Sequence, residues 1–186
     1  MKKEIRVVGF DDSSFNKFKD KEVLVIGTFY RGGNYIDGVI STKVKVDGED
    51  SADKLIECIK KSKFKLQLQA IFLDGIAFGG FNIIDIEKLH YKTKLPVIVV
   101  IRRMPDIKKI ITTLKNIGFE DKIRLIEKAG DVHKIGEVYC QYKGCKKDFV
   151  EKLIKITCTH SKIPEPIRVA HLIGAGIVLG ESKGRA

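Results

Sequence analysis

Leu68-Gln69-Ala70-Ile71-Phe72-Leu73-Asp74-Gly75 decides how the rest of the chain is read. Ala70 to Leu73 is a short apolar run that stops at an acid and a glycine, which predicts a buried strand ending in a carboxylate. Ligands of open α/β sheets collect beyond the carboxyl ends of the strands. Asp74 is therefore the first candidate site residue, and its partners must come from other strand ends.

Upstream, Ile5 to Phe10 is a similar apolar strand that runs into Asp11-Asp12, with turn residues Ser13-Ser14 and a polar loop, Lys17 to Lys21, after it. Val23 to Tyr30 predicts a second strand. Arg31-Gly32-Gly33-Asn34 suits a tight hairpin, because Gly and Asn adopt the positive φ such turns need. Tyr35 to Val46 predicts a third strand, with Val44 and Val46 alternating against Lys43 and Lys45. Short links make these three an antiparallel meander. Asp47-Gly48-Glu49-Asp50 ends it, and Asp50 or Ser51 is placed to cap a helix from Ala52 to Ser62 whose apolar stripe is Leu55, Ile56 and Ile59.

Downstream of Asp74, residues Gly75 to Phe81 are glycine-rich and too hydrophobic for a solvated connector. They match neither the P-loop nor the Rossmann glycine spacing. The expectation is a loop lining a pocket, with Gly75, Gly79 and Gly80 near substrate. A helix over Ile84 to Tyr91 and a strand over Val97 to Ile101 would complete a parallel crossover. That strand leads into Arg102-Arg103, a candidate phosphate contact. Pro105 sits near the start of a helix ending around Gly118. The pattern from Glu120 to Gly136 is weak, with a helix or strand at Ile123 to Lys128. Val138 to Tyr142 then predicts a strand, and Asp148 to Thr157 a helix.

The last element opens on Ile163-Pro164-Glu165-Pro166. Proline fits a helix only in its first turn, so a helix starts near Pro164 or Pro166. Residues Ala170 to Leu179 are apolar nearly all round, which predicts burial. Arg168 and His171, three apart, share a face. The tail from Glu181 to Ala186 is expected to fray.

The 186 residues suffice for one α/β domain, residues 1–186, with a sizeable core. No signal-peptide pattern or membrane-length apolar run is present, so the expectation is a cytoplasmic protein that does not engage membranes. With 35 basic against 24 acidic residues, the net charge of +11 favours a polyanionic partner, nucleic acid first. The same charge also fits an ordinary lysine-covered surface. Cys58, Cys140, Cys145 and Cys158 lack paired metal-ligand spacing and are expected to be reduced, small hydrophobes.

Asp11, Asp74 and the cluster Asp47/Asp50 all follow strands. Acids gathered at one rim need a cation, and hard oxygen donors suit Mg²⁺ or Mn²⁺. Such a centre hydrolyses phosphodiesters. His171 is either a catalytic group or a satisfied core histidine, and turn or cap duty is the competing role for each acid.

Four segments carry a family resemblance: Gly9-Phe10-Asp11, Phe72-Leu73-Asp74-Gly75, Leu95 to Arg102, and Ile163 to His171. In that order they resemble endonuclease V. With Leu73 to Asn82 and Gly180 to Ala186, they are more similar to its sister group, the mainly archaeal DUF99 (UPF0215) family, also described as endonuclease dU. The resemblance implies a ribonuclease H-like mixed sheet, three antiparallel strands then parallel strands, with helices on both faces. It implies that Asp11 and Asp74 are paired metal-binding aspartates and that His171 occupies a late catalytic or metal-proximal position. Arg102 stands where endonuclease V usually has a lysine. Asp47 or Asp50 replaces its glutamate before the first long helix, with Asp50 a further metal ligand. No clear equivalent of that family's tyrosine-containing wedge is found. The expected function is a metal-dependent endonuclease acting on damaged or deaminated, possibly uracil-containing DNA, with Asp11, Asp74, His171, Asp50 and Asp47 catalytic and Arg102 and Arg168 on substrate. The alternatives are a non-catalytic nucleic-acid binder on the same fold and a phosphoesterase of RNA or nucleotides.

Overall fold

The computed structural model describes residues 4–182. Its centre is a seven-stranded sheet with spatial order β3-β2-β1-β4-β7-β9-β8. β1 (Arg6–Asp12), β2 (Glu22–Arg31) and β3 (Tyr35–Lys45) form the antiparallel meander. β4 (Ala70–Asp74) pairs parallel with β1, and β7 (Val97–Ile101) pairs parallel with β4 across a crossover through α2 (Ile86–Thr93). The carboxyl ends of β1, β4 and β7 therefore lie side by side. β9 (Val138–Lys143) adds antiparallel to β7, and β8 (His133–Ile135) closes that edge.

The apolar runs are continuous because the middle strands are buried on both faces. Val7, Ala70, Phe72, Ile98 and Val100 meet one helical layer, α5 (Lys147–Thr157) and α6 (Glu165–Leu179), through Val150, Leu153 and Ile167. Val8, Phe10, Ile71, Leu73, Val97 and Val99 meet the other, through Leu55 and Ile59 of α1 (Ser51–Lys61), Leu89 of α2 and Ala129 of α4 (Ile123–Ala129). α3 (Ile107–Asn116) packs Leu114 against Ile83 and Ile126 in a small satellite cluster. Asp106 caps it by accepting from the Lys109 amide at 2.9 Å, so Pro105 stands just outside the helix.

α6 seats on β1 through a missing side chain. A Cβ on Gly9 would stand 2.6 Å from the Pro166 carbonyl carbon, so only glycine admits this approach. The Thr28 hydroxyl, buried across from Gly9 on β2, donates to the Pro166 carbonyl at 2.6 Å. These contacts fix where the first turn of α6 starts, and hence where His171 falls one turn later.

Two expectations are corrected, and the weak stretch, where a helix or strand was expected at Ile123 to Lys128, is resolved as a helix. The glycine-rich loop contains a small hairpin, β5 (Ala77–Phe78) with β6 (Asn82–Ile83), turning at Gly79 and Gly80, both at positive φ. The weak stretch from Glu120 to Gly136 holds a 3-10 turn (Glu120–Lys122), α4 and β8. The far end of α6 is not buried: Ile177, Val178 and Leu179 are 62%, 45% and 48% exposed. Beyond His171, Leu172 and Ile173 are half-buried and Gly174 and Ala175 buried, Gly174 against the Ser13 turn; the helix emerges into solvent from Gly176 on. The tail expected to fray falls outside the described residues from residue 183 on. Among the described residues, no helix is long and apolar enough to cross a membrane.

Candidate active site

The parallel register pairs Phe10 with Leu73, so Asp11 and Asp74 occupy the next positions on neighbouring strands, about 4.8 Å apart across the sheet. Side chains alternate along a strand. Asp11 follows Val7 and Gly9, and Asp74 follows Ala70 and Phe72, so both turn toward the α6 layer. Asp11 is 5% exposed, and its Oδ2 lies 2.8 Å from His171 Nδ1 while Oδ1 accepts from the Asp12 amide at 2.9 Å. That contact leaves His171 Nε2 as the nitrogen available to a ligand. Asp74 receives both arms of Arg102, at 3.2 and 2.9 Å. These four residues, with Gly75, Arg103 and Met104, line one open cleft of about 760 Å³.

Asp12, the second acid at the end of β1, lines the same cleft and is not among the expected site residues. The adjacent pair sends one acid to each face, so Asp12 follows Val8 and Phe10 away from α6. Its Oδ2 accepts from the Gly79 amide at 2.8 Å. The strand-end pair itself was the available signal: two neighbouring acids on a two-faced strand cannot both serve the same side.

Four expected site residues lie elsewhere. Asp50 Oδ1 accepts from Asn82 Nδ2 at 2.7 Å and from the Lys45 amide at 3.1 Å, and Asp47 Oδ1 accepts from the Phe81 amide at 2.8 Å. Both acids tie the end of β3 to the β5–β6 hairpin and do not reach the Asp11–Asp74 cleft. Gly80 belongs to that tie, since a Cβ there would collide with Asp47 Oδ1. Arg168 is engaged bidentately by Glu165, which is buried at 2% exposure and also accepts from the His160 amide. Gly79 reaches the site through its amide alone.

The tie has an unexpected anchor. Lys122 is 3% exposed, and its ammonium donates to the carbonyls of Asp47, Gly48 and Phe81 at 2.6, 3.0 and 3.0 Å. It also stands 4.2 Å from the centre of the Phe119 ring. The Gly79 carbonyl accepts from the Asp47 amide at 2.8 Å, so this buried cation is linked through one hairpin to the amide that holds Asp12.

The model of the endonuclease dU family matches residues 3–178. The chain belongs to that family. A UPF0215 protein of Methanothermobacter thermautotrophicus is 44% identical over 192 aligned residues, which cover 100% of this chain and 94% of that one. A crystal structure from Archaeoglobus fulgidus, of a protein of unknown function, is 39% identical with a TM-score of 0.86, covering 93% of this chain and 98% of that one. Endonuclease V of Ciona intestinalis, solved with a 24mer DNA containing an inosine followed by a ribo-adenosine, is 20% identical with a TM-score of 0.56, over 89% and 82% of the two chains. The mixed sheet is ribonuclease H-like, as the resemblance implied.

In this endonuclease dU family member the acids of the cleft hold their protons tightly, chiefly because they are buried. Burial, with the neighbouring Asp74 and Asp12 carboxylates adding to it, pushes the Asp11 carboxyl up to about 6 despite its bond to His171. Burial also raises Asp12, against the Gly79 amide, and Asp74, against the Arg102 guanidinium. His171 is raised too, chiefly by its hydrogen bond to Asp11. All four folded groups hold protons more tightly than the unfolded chain does. The acids lose stabilisation as pH climbs from their unfolded values near 4, and the histidine's contribution is lost as pH passes through its raised folded value. Thermal melts in EDTA should therefore show the wild type losing ground to Asp11→Asn as pH rises from 4 to 7, by at most about 1.4 kcal/mol per pH unit from Asp11. A wild-type advantage that grows over that range would contradict the assigned environment.

Carboxylates held this way suit a hard divalent cation, which favours their ionised forms. Among the described residues, no group of three or more His, Cys, Asp or Glu side chains stands ready to hold a metal ion. Asp12 is turned onto Gly79 and Asp74 onto Arg102. Mg²⁺ does not require such a cage, since it binds through one or two carboxylates and completes its shell with water and substrate phosphate. Asp11 and Asp74 fit that donor set.

Proposed function

We propose that this protein is a divalent-metal-dependent endonuclease, using Mg²⁺ or Mn²⁺ to hydrolyse phosphodiester bonds in damaged or deaminated DNA, with uracil as the favoured lesion. The observation that carries this is the pairing, at adjacent strand ends, of Asp11 bonded to His171 with Asp74 bonded to Arg102. Asp11 and Asp74 would hold the cation, which when bound supplies Lewis-acid stabilisation of charge on the scissile phosphate. Asp11 keeps the His171 ring oriented, so that Nε2 faces the substrate and positions the attacking water or a phosphate oxygen. Arg102, half exposed at 46%, is free to turn its fork from Asp74 to a phosphate, whose geometry it matches equally well. Ciona endonuclease V, a neighbour in fold, was solved with inosine-containing DNA, which supports nucleic acid as the class of substrate.

One observation favours a second reading. Arg102 occupies both oxygens of Asp74, which suits a nucleic-acid binder that no longer hydrolyses. Labelled strands carrying one deoxyuridine, one hypoxanthine or neither, single-stranded and duplex, with matching RNA, separate the two when incubated in Mg²⁺, Mn²⁺ or EDTA. Divalent-dependent cutting of the deoxyuridine strand is expected. Salt-sensitive binding with no cutting of any strand would leave only the binder, and cutting confined to RNA would make the protein a ribonuclease.

A further inference from the structure

The loop between β1 and β2, apart from its serines, looks like plain polar sequence, yet it carries the most exposed large apolar side chain described. Phe18 is 96% exposed. Single exposed hydrophobic residues are common and need no explanation. Here three further observations bear on it.

The first is rigidity. The Asn16 carbonyl accepts from the Lys19 and Asp20 amides at 3.1 and 2.9 Å, Asn16 Oδ1 accepts from the Phe18 amide at 3.0 Å, and Asp20 Oδ2 accepts from the Asn16 amide at 2.7 Å. Both loop ends are tied as well, the Ser13 amide to the Leu24 carbonyl and the Lys21 carbonyl to the Val46 amide. The ring is thus held out into water by a closed turn. The second is charge. Exposed Lys19 and Lys21 flank it in the loop with one acid, Asp20; Lys17 is turned to Asp47 Oδ2 at 3.4 Å and to the Phe81 ring, and Lys45 lies across from Glu22 where β2 begins. The third is place. The loop leaves the sheet directly from Asp12. A recess of about 340 Å³ lined by Asp12, Ser13, Ser14, Phe15, His171 and Ala175 shares a wall with the catalytic cleft on the side from which the loop rises.

We infer that Phe18 is a stacking platform for an unpaired nucleobase, on a strand whose backbone runs from the lysines of this loop past Asp12 and His171 into the cleft. A flat apolar face set among cations is how single strands are held without sequence preference, because every base offers a π-face and every nucleotide a phosphate. The substrate class is accordingly a single-stranded or locally opened nucleic acid, and a fully paired duplex is engaged less well. The inference rests on a nucleic-acid substrate for the cleft but requires no cleavage.

The chain contains no tryptophan, so Phe18→Trp introduces a single reporter at the tip of the turn. With a 20-residue oligo(dT) strand in EDTA, its emission should be quenched, and an abasic strand of equal length should leave it unchanged. Phe18→Ala should bind fluorescein-labelled oligo(dT) about 5- to 150-fold more weakly than wild type by anisotropy, and Phe18→Trp at wild-type strength or better. The solvent-exposed position makes misfolding of these variants a minor concern, and matching melting curves check it. Unchanged tryptophan emission at saturating strand, or Phe18→Ala binding within twofold of wild type, overturns the platform. No strand binding by the wild type overturns both the platform and the nucleic-acid reading of the cleft. Quenching without any metal-dependent cutting overturns the nuclease alone.

Discussion

Replacing Asp74 or Asp11 by asparagine is expected to lower metal-dependent cleavage about a thousandfold or more, because each removes a charge from a centre whose members act as a unit. For the same reason the double variant should fall no further than either single one. The melting temperature separates this from a folding effect. Both acids are penalised by burial, as their raised proton affinities show, and a neutral amide of the same shape removes that penalty. Arg102 is left without its partner but is half exposed, where loss of an ion pair costs little, about 0–1 kcal/mol. The variants should therefore melt at or above the wild-type temperature while cutting nothing. Cleavage within tenfold of wild type in either variant would remove these carboxylates from the reaction.

The second large effect lies outside the cleft. Lys122→Met retains the length and apolar stem of the side chain but deletes the ammonium that three half-buried carbonyls share. An acceptor left unpaired costs about 1–3 kcal/mol, and at the lower end for half-buried groups a loss of about 3 kcal/mol follows. For a chain of this size that is a fall of about 6–12 °C in melting temperature. The hairpin that holds Asp12 should loosen with it, so strand cutting falls even in the fraction that stays folded. A melting point within about 2 °C of wild type would mean that water or a backbone shift replaces the ammonium.

Much of the architecture was legible because the strands that matter are buried on both faces and read as unbroken apolar runs, Val7 to Phe10, Ala70 to Leu73 and Val97 to Ile101. The same simplicity made Asp11 and Asp74 visible, since a carboxylate after such a run has few structural uses. Asp47 and Asp50 misled for the opposite reason. Acids after an edge strand have many uses, and here they serve as hydrogen-bond acceptors for Phe81, Asn82 and Lys45. Lys122 carried no signal at all, because a lysine among Glu120, Asp121 and Arg124 looks like any solvated one until three carbonyls converge on it. Phe18 was hidden by its lysine neighbours. The exposed last turn of α6 was misjudged because apolar composition reports what a helix can bury, while what packs against each turn decides what it does bury.

The seat of α6 on Gly9 has a consequence for how the site comes into being. The bond from Asp11 to His171 joins residues 160 apart in the chain, so it closes only when α6 is seated on the sheet. Detachment of this one helix, a partial opening far short of global unfolding, would withdraw the histidine while leaving the acids on their strands. The proposed constellation is thus a readout of complete docking: a chain with α6 detached keeps its carboxylates at the strand ends, but only the docked chain presents them with their histidine.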